Sequence, residues 1–285
     1  MEYCHRRAPQ WSDRDLDAVR QARQTLADAT ADLRFDEKEH RYFLGRRELS
    51  SVSSVVESYS TFDAYGKALD CSRNIRHEHY GKSPEEIMAI WEETARQAAE
   101  KGTVAHSYGE ACFDLVAGGD GAVDAVHADR LCEAGLAAST GKEEAIAHWW
   151  NNLDLRRYIP VAKEARVVNI EAAYAGTFDV LLYDTVNKGF ALRDYKTNKD
   201  LFKWFSTYLR PPLTPIKDND YGKYTVQQNL YSIVLEILGF RVLSMQLIWL
   251  KDTGAYEEVA VPSYKALIKY ALECNPPAVL PDNKQ

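Results

Sequence analysis

The chain has 285 residues, of which 46% are hydrophobic and 27% are charged, and both values are usual for a globular protein. Its apolar runs stay well short of the roughly 18 residues that a membrane-spanning helix needs, so we expect no membrane partner. The formal net charge of −7 excludes a strongly basic protein, so any surface for nucleic acid must be local.

The N-terminal sequence and the cysteines indicate an intracellular protein. The first residues lack the apolar core and the small-residue cleavage site of a secretory signal. The five cysteines are odd in number, widely spaced and never form a C-x-x-C pair, which favours reduced thiols. We therefore expect a cytoplasmic location.

The first part of the chain predicts a helix and a short hairpin. A capping pattern at Ser12 opens a helix over about 13–28, and two apolar runs around a charged turn predict a hairpin over about 33–44. We expect residues 1–100, with these elements and further helical segments, to be additions to a core that begins at residue 101.

A long helical region follows the hairpin. An N-cap serine and a capping-box glutamate within Ser83–Glu86 open a helix. Gly102 is expected to interrupt it, so that a second helix covers about 103–117. His106 and Glu110 lie one turn apart on that second helix, and their side chains therefore project from one face.

Beyond about residue 160 the hydrophobic period changes from 3.6 residues to 2, which is typical of strands. The predicted elements are strands over 165–170, 177–183, 190–196 and 241–250, and a helix over 221–238. This pattern predicts an α/β core over 101–265, in which a mixed central sheet is flanked by helices. A C-terminal tail over 266–285 completes what we expect to be one compact domain.

Two carboxylates and a lysine are predicted to meet on the central hairpin. Asp194 and Lys196 lie two residues apart on one strand and so point to the same face. The hairpin turn brings Asp179, on the preceding strand, close to their level. Two facing carboxylates repel each other unless a cation lies between them, and oxygen ligands suit Mg²⁺ or Mn²⁺. The sequence therefore predicts a divalent-metal site.

The Asp-x-Lys pattern is weak support when taken alone. Asp36-Glu37-Lys38 has the same spacing but lies in a charged turn without apolar framing. A chance match is expected about once in a few hundred residues, so the structural context has to distinguish the two. Asp194 has that context, because Phe190 and Leu192 precede it on the same strand face.

A series of motifs resembles the RecB-like branch of the PD-(D/E)XK nucleases, which includes phage and viral exonucleases. The series is Gly102-Thr-x-x-His106-x-x-x-Glu110, Glu164, Gly176-Thr-Phe-Asp179, Asp194-Tyr-Lys196-Thr197 and Gln227-x-x-x-Tyr231. The resemblance covers about residues 100–250 and implies a restriction-endonuclease-like fold. It also implies a metal-dependent deoxyribonuclease, with an exonuclease of phage or viral recombination, repair or replication as the leading expectation.

The resemblance implies roles for individual residues. His106, Asp179, Asp194 and the main-chain carbonyl of Tyr195 would be ligands in a site for two Mg²⁺ or Mn²⁺ ions. Lys196 would orient the attacking water and help to deprotonate it, aided by a pKa that the neighbouring metal ions lower. Metal ions in such a site neutralise phosphate oxygens and activate water, as phosphodiester hydrolysis requires.

Other candidates leave two interpretations open. Glu164 would be a further catalytic carboxylate or only a salt-bridge partner. Glu110 would orient His106 or face solvent. Gln227 and Tyr231 would lie beside the active site and the bound nucleic acid, or would simply pack against the sheet.

The segment after the lysine contains the candidate contacts to nucleic acid. Cations neutralise phosphates, and aromatic rings stack on unpaired bases. A solvated loop with a few packed aromatic residues is the alternative. The candidates are Thr197, Lys199, Lys203, Trp204 and Arg210.

Several cofactors and functions are disfavoured or kept as alternatives. Only one cysteine, Cys274, follows the Gln-x-x-x-Tyr helix, so we expect no iron–sulfur cluster. The sequence contains no complete phosphate-binding loop, so we expect no bound nucleotide. DNA is the expected partner, with RNA as an alternative and a recombination or single-strand-binding protein as a further partner. A structure-specific endonuclease, an RNase and a catalytically silent nucleic-acid-binding subunit remain alternatives to the exonuclease.

Overall fold

Runs of strands and runs of helices follow one another along the chain in the computed structural model, which describes residues 11–117, 138–203, 207–277 and 280–281. The helices are α1 (Asp13–Ala29), α2 (Val52–Ser58), α3 (Ala64–Arg73), α4 (Pro84–Ala117), α5 (Gly141–Asn152), α6 (Asp220–Ile237) and α7 (Lys265–Cys274). The strands are β1 (Leu33–Asp36), β2 (Arg41–Leu44), β3 (Arg47–Ser51), β4 (Tyr158–Asn169), β5 (Tyr174–Asp184), β6 (Gly189–Lys196), β7 (Val242–Leu250), β8 (Tyr256–Ala260) and β9 (Leu280–Pro281).

The strands form one mixed sheet, as the sequence predicts. The strand order is β1-β2-β3-β5-β6-β7-β8, with β4 paired to β5 and β9 paired to β3. The β3–β5 and β6–β7 pairs are parallel, and the other pairs are antiparallel. The predicted α/β class and the predicted hairpin, which is formed by β5 and β6, are both confirmed. No helix among the described residues is long and apolar enough to cross a membrane.

The sheet is split beside the middle of β5. Strand β4 pairs along the whole of one edge of β5. On the other edge, β3 pairs at Tyr174 and Ala175, and β6 pairs from Val180 to Asp184. Residues 176–179 therefore face a gap between two neighbouring strands, and Asp179 lies at the end of that gap.

Helices cover both faces of the sheet. On one face, α1, α2, α6 and α7 share a hydrophobic core with the sheet. On the other face, α4 and α5 pack against the sheet in a second core. Phe178 belongs to the first core, whereas Val180 and Leu182 belong to the second. The regular alternation of faces along β5 therefore breaks at Asp179.

Helix α4 differs from its prediction. It runs without interruption from Pro84 to Ala117, so the break predicted at Gly102 is wrong. A single glycine costs a helix only about 1 kcal/mol relative to alanine, and the packing of Ala105 to Ala117 against the sheet compensates for it. The boundary expected between residues 100 and 101 falls inside this helix.

The two ends of the chain are more integrated than the sequence suggests. Strand β3, within residues 1–100, is paired to the central strand β5. Helix α7 occupies the first part of the region expected to be a tail, residues 266–285. Its Ile268, Ala271 and Leu272 share one helix face and are buried in the first core, which fixes the helix against α6.

The turn between β5 and β6 is organised by one buried carboxylate. Asp184 accepts hydrogen bonds from Arg157 Nη2 at 2.7 Å and from the backbone N–H groups of Val186 and Asn187 at 2.9 and 3.0 Å. Burial alone would raise the pKa of Asp184, but these hydrogen bonds outweigh it and hold the pKa well below its usual value. The ionised carboxylate therefore stabilises the hairpin that carries the site.

Asp184→Asn should lower the free energy of unfolding by about 2 kcal/mol at neutral pH, because the variant loses hydrogen bonds to a charged acceptor. The folded-state pKa lies below the unfolded value of about 3.9, so this contribution is present above about pH 4 and disappears as the pH falls. Urea denaturation at a series of pH values should show the difference between the two proteins shrinking below about pH 4. A stability difference that is independent of pH would contradict this role. As a control, substitution of the exposed Asp32 by asparagine should change the free energy of unfolding little.

Candidate functional site

Three side chains from three different elements meet at the split in the sheet. Nδ1 of His106, on α4, lies 3.4 Å from Oδ1 of Asp179, on β5, and 3.7 Å from Oε1 of Glu164, on β4. One ligand atom from each of the three residues lies within 4.8 Å of the others. Three residues that are far apart in the sequence therefore form one compact group of donors.

The close approach of α4 to β6 positions His106. A Cβ atom at Gly109 would lie 2.7 Å from the ring of Tyr195, so only glycine allows this spacing between helix and strand. The Tyr195 ring is fixed in turn, because Trp150 Nε1 donates a hydrogen bond to the Tyr195 hydroxyl at 2.9 Å. This fixed ring and the His106 imidazole pack edge to face, with 5.8 Å between ring centroids.

Glu164 owes its position to an unusual backbone conformation. Its φ angle is +40°, in the left-handed region that residues other than glycine rarely adopt. It lies between the paired residues Lys163 and Ala165, which places it opposite Asp179 on β5. Strain of this kind costs about 1–3 kcal/mol and is typical of functional sites.

Asp194 and Lys196 form a second group beside the first. The Lys196 ammonium contacts Asp194 Oδ2, and both side chains are largely buried. The ammonium also lies 4.2 Å from the centre of the Tyr224 ring on α6, within the range of a cation–π interaction. Two contacts thus fix the lysine on the strand face predicted for it.

The two buried aspartates receive different counter-charges. Asp179 accepts a hydrogen bond from the Tyr195 backbone N–H at 2.6 Å and faces His106. Burial opposes ionisation of Asp179, but the charge and hydrogen bond of His106 outweigh it and hold the pKa of Asp179 below its usual value. Burial and the nearby Asp179 raise the pKa of Asp194 to about 6. The two carboxylates therefore differ in how readily they ionise.

The two aspartates also shift the pKa values of His106 and Lys196. The Asp179 carboxylate raises the pKa of His106 to about 10. Burial disfavours the Lys196 ammonium, but Asp194 and Asp179 outweigh burial and raise the pKa of Lys196 above its usual value. The sequence predicts a lowered pKa for this lysine from neighbouring metal ions. That prediction concerns a site with bound metal ions and stays a prediction.

Gln227 and Tyr231 lie behind the carboxylates, one helical turn apart on α6. Gln227 Nε2 donates a hydrogen bond to the Tyr231 hydroxyl at 3.3 Å. Burial and the charges of Asp194 and Asp179 raise the pKa of Tyr231. A Cβ atom at Gly176 would lie 2.8 Å from the Tyr231 ring, so the glycine lets the tyrosine reach the gap in the sheet. Tyr231 is thus beside the site and packed against the sheet, and Gln227 is hydrogen-bonded to it.

The donor set fits a divalent cation. Carboxylates suit Mg²⁺ and Mn²⁺, and the imidazole nitrogen also suits other divalent transition metals. Glu164 joins His106 and Asp179 in this set, whereas Asp194, which the sequence predicts as a ligand, is paired with Lys196. Coordination by Asp194 and by the Tyr195 main-chain carbonyl stays a prediction.

The remaining predicted residues lie outside the group formed by His106, Glu164 and Asp179. The Glu110 carboxylate lies 3.8 Å from the Lys163 ammonium, on the side facing β4. Thr197 and Lys199 line a cleft of about 540 Å³ beside the end of β6. The backbone N–H of the exposed Arg210 donates to the Tyr59 carbonyl at 2.7 Å.

Two predicted nucleic-acid contacts belong to the loop beyond the cleft. Lys203 is exposed, and its carbonyl accepts a hydrogen bond from Asn219 Nδ2 at 3.2 Å. Trp204 lies outside the described residues. Their contact with nucleic acid stays a prediction.

Two residues at the site are missed by reasoning from the sequence. Tyr224 precedes Gln227 by three residues and Tyr231 by seven, so helical spacing could have placed all three on one face. Lys142, at the start of α5, donates a hydrogen bond to the Thr197 carbonyl. No local pattern indicates that contact, because 55 residues separate the two partners.

Glu164→Gly should separate backbone strain from metal binding. Glycine relieves the left-handed conformation, so the free energy of unfolding should stay the same or rise by about 1 kcal/mol. Loss of the carboxylate should weaken Mn²⁺ binding at least roughly tenfold, measured by titration calorimetry.

His40→Gly is the matched control. His40 is exposed, has a φ of +50° and lies in a turn that is distant in sequence from Glu164. It should leave Mn²⁺ affinity unchanged. Unchanged Mn²⁺ affinity in Glu164→Gly would exclude Glu164 from the centre.

No protein-family model matches this chain, and no curated protein matches it. The site geometry and the motif series therefore carry any proposed activity. The site combines two features at the split in the mixed sheet. One is the His-Glu-Asp group, and the other is the buried aspartate–lysine pair beside it.

Proposed function

We propose that this protein is a divalent-metal-dependent nuclease that hydrolyses phosphodiester bonds. The observation that carries the proposal is the meeting of His106, Glu164 and Asp179 next to the Asp194–Lys196 pair. Clustered carboxylates that gather a cation, with a lysine beside them, match the chemical needs of phosphodiester hydrolysis. The motif series that resembles the RecB-like nucleases supports the same activity.

The donor group would hold Mg²⁺ or Mn²⁺ through His106, Glu164 and Asp179, with Asp194 as a further ligand. When bound, such an ion supplies Lewis acidity that polarises the phosphodiester and activates water. Asp179 is held in place by the Tyr195 backbone N–H, and His106 is held by the Tyr195 ring. The ligands would therefore need little rearrangement to bind the ion.

Lys196 would act on the reacting phosphate through its charge and its position. Its ammonium is fixed between Asp194 and the Tyr224 ring. A cation that is already in place stabilises the negative charge that builds up on the phosphate oxygens during displacement. The same Nζ atom would orient the attacking water.

We propose DNA as the substrate and removal of nucleotides from an end as the mode of action. Both rest on the resemblance to phage and viral exonucleases, since the same centre can cut DNA or RNA and substrate choice depends on the surrounding grooves. Mn²⁺ is the cation of choice for a first assay, because it accepts both the carboxylates and the imidazole.

Lys196→Ala should lower Mn²⁺-dependent cleavage of end-labelled DNA by at least roughly 100-fold, because the fixed cation is removed. An Asp194→Asn/Lys196→Met double variant should be equally inactive, and it leaves no unpaired buried charge that could unfold the protein. Lys38→Ala, in the matching Asp36-x-Lys38 pattern of the β1–β2 turn, is the control and should keep full activity. Full activity of Lys196→Ala, or of the unaltered protein in excess chelator, would contradict the proposal.

The substrates in this assay distinguish the alternatives. An exonuclease degrades linear DNA and leaves a closed circle intact, whereas cutting of the circle would indicate an endonuclease. Cleavage of RNA alone would indicate an RNase. Absence of cleavage together with undetectable Mn²⁺ binding would indicate a catalytically silent nucleic-acid-binding subunit.

A further inference from the structure

We propose that the cleft beside the end of β6 is an anion subsite that binds a phosphate group of the substrate strand next to the one being cleaved. The proposal rests on the nuclease function proposed above and adds a location and two residues to it. Lys101 and Lys199 are the phosphate-binding cations, and Lys142 is hydrogen-bonded to the segment that presents Lys199.

The cleft is formed by regular elements of the fold. Its volume of about 540 Å³ lies within the range of ligand-binding pockets. It lies between α4, from Thr94 to Gly102, and the segment Thr197–Lys199 that leaves β6, with Lys142 and Tyr224 completing its wall. Its walls therefore come from the same helix and strand that carry His106 and Lys196.

The charge of the cleft is opposite to the charge of the chain. Lys101, Lys142 and Lys199 line it together with one carboxylate, that of Asp252, while the net charge of the chain is −7. Across the described ranges, neither Lys101 nor Lys199 has a carboxylate within ion-pairing distance. Two cations without counter-charges in a concave wall attract an anion more strongly than the same cations on a convex surface.

Lys142, the third lysine of the cleft, contacts the protein itself. The Lys142 ammonium donates to the Thr197 carbonyl and lies 3.7 Å from the Asp252 carboxylate. The Asn198 carbonyl next to it accepts a hydrogen bond from Trp249 Nε1 at 2.7 Å, and Asn198 Oδ1 accepts one from the Tyr224 hydroxyl at 2.9 Å. The segment that presents Lys199 is thus fixed before any ligand arrives.

Tyr224 connects the cleft to the reacting centre. Its ring forms part of the cleft wall and also contacts the Lys196 ammonium. A phosphate in the cleft would therefore lie one side chain away from the lysine that acts on the scissile phosphate. Neighbouring phosphates of one strand are the anions that such an arrangement matches.

The test compares two double variants that lower the net charge equally. Lys101→Gln/Lys199→Gln removes the proposed phosphate cations, and Lys38→Gln/Lys82→Gln removes two exposed lysines away from the cleft. Binding of a fluorescent 12-nucleotide single-stranded DNA is measured in chelator, so that no cleavage occurs, over a range of salt concentrations.

We expect the cleft variant to raise the Kd at least roughly tenfold and to reduce the magnitude of the slope of log K against log salt by about 0.7, the value for one single-strand phosphate that the lysines no longer neutralise. The control variant should match the unaltered protein. Equal effects of the two variants, no effect of either, or no DNA binding by the unaltered protein would overturn the subsite.

The two proposals fail in different ways. Loss of binding in the cleft variant without any Mn²⁺-dependent cleavage by the unaltered protein would keep the subsite and reject the nuclease. Cleavage by the unaltered protein with equal binding and equal KM in both variants would keep the nuclease and reject the subsite.

Discussion

The repulsion between two buried carboxylates, Asp179 and Asp194, is the constraint on which the arrangement of the site depends. Burial of an ionised carboxylate is costly unless a counter-charge or hydrogen bonds compensate for it. The fold compensates each one separately, with His106 and a backbone N–H for Asp179 and with Lys196 for Asp194. A helix, a strand hairpin and an aromatic wall are all needed to deliver these partners, so the charges explain why distant parts of the chain converge here.

The backbone around these charges shows several departures from regular structure. The sheet is split beside residues 176–179, the alternation of faces breaks at Asp179, and Glu164 adopts a left-handed conformation. Gly109 removes the side chain that would keep α4 away from β6. The left-handed conformation of Glu164 costs stability locally, and these features lie around the group formed by His106, Glu164 and Asp179. Such concentration of irregular geometry is typical of a functional site rather than of a structural ion pair.

The sequence predicts the parts of this arrangement that depend on local periodicity. The β5–β6 hairpin, the α6 helix and the shared face of Asp194 and Lys196 follow from periods of 2 and 3.6 residues, and all three are confirmed. Contacts between distant segments are beyond local patterns. The pairing of Glu164 with His106 and the hydrogen bond from Lys142 to Thr197 depend on how the elements pack. Continuity of α4 through Gly102 likewise depends on tertiary packing, which outweighs the local preference of one glycine.

The most direct test of the central claim is a crystal structure of the protein grown with Mn²⁺, because the anomalous signal locates the ion independently of any activity. A metal centre at this point predicts an anomalous peak in contact with His106, Glu164 and Asp179, with ligand distances of about 2.0–2.3 Å. A structure that diffracts well and has no peak there, or has its peak elsewhere, would show that the three residues form only a network of structural ion pairs.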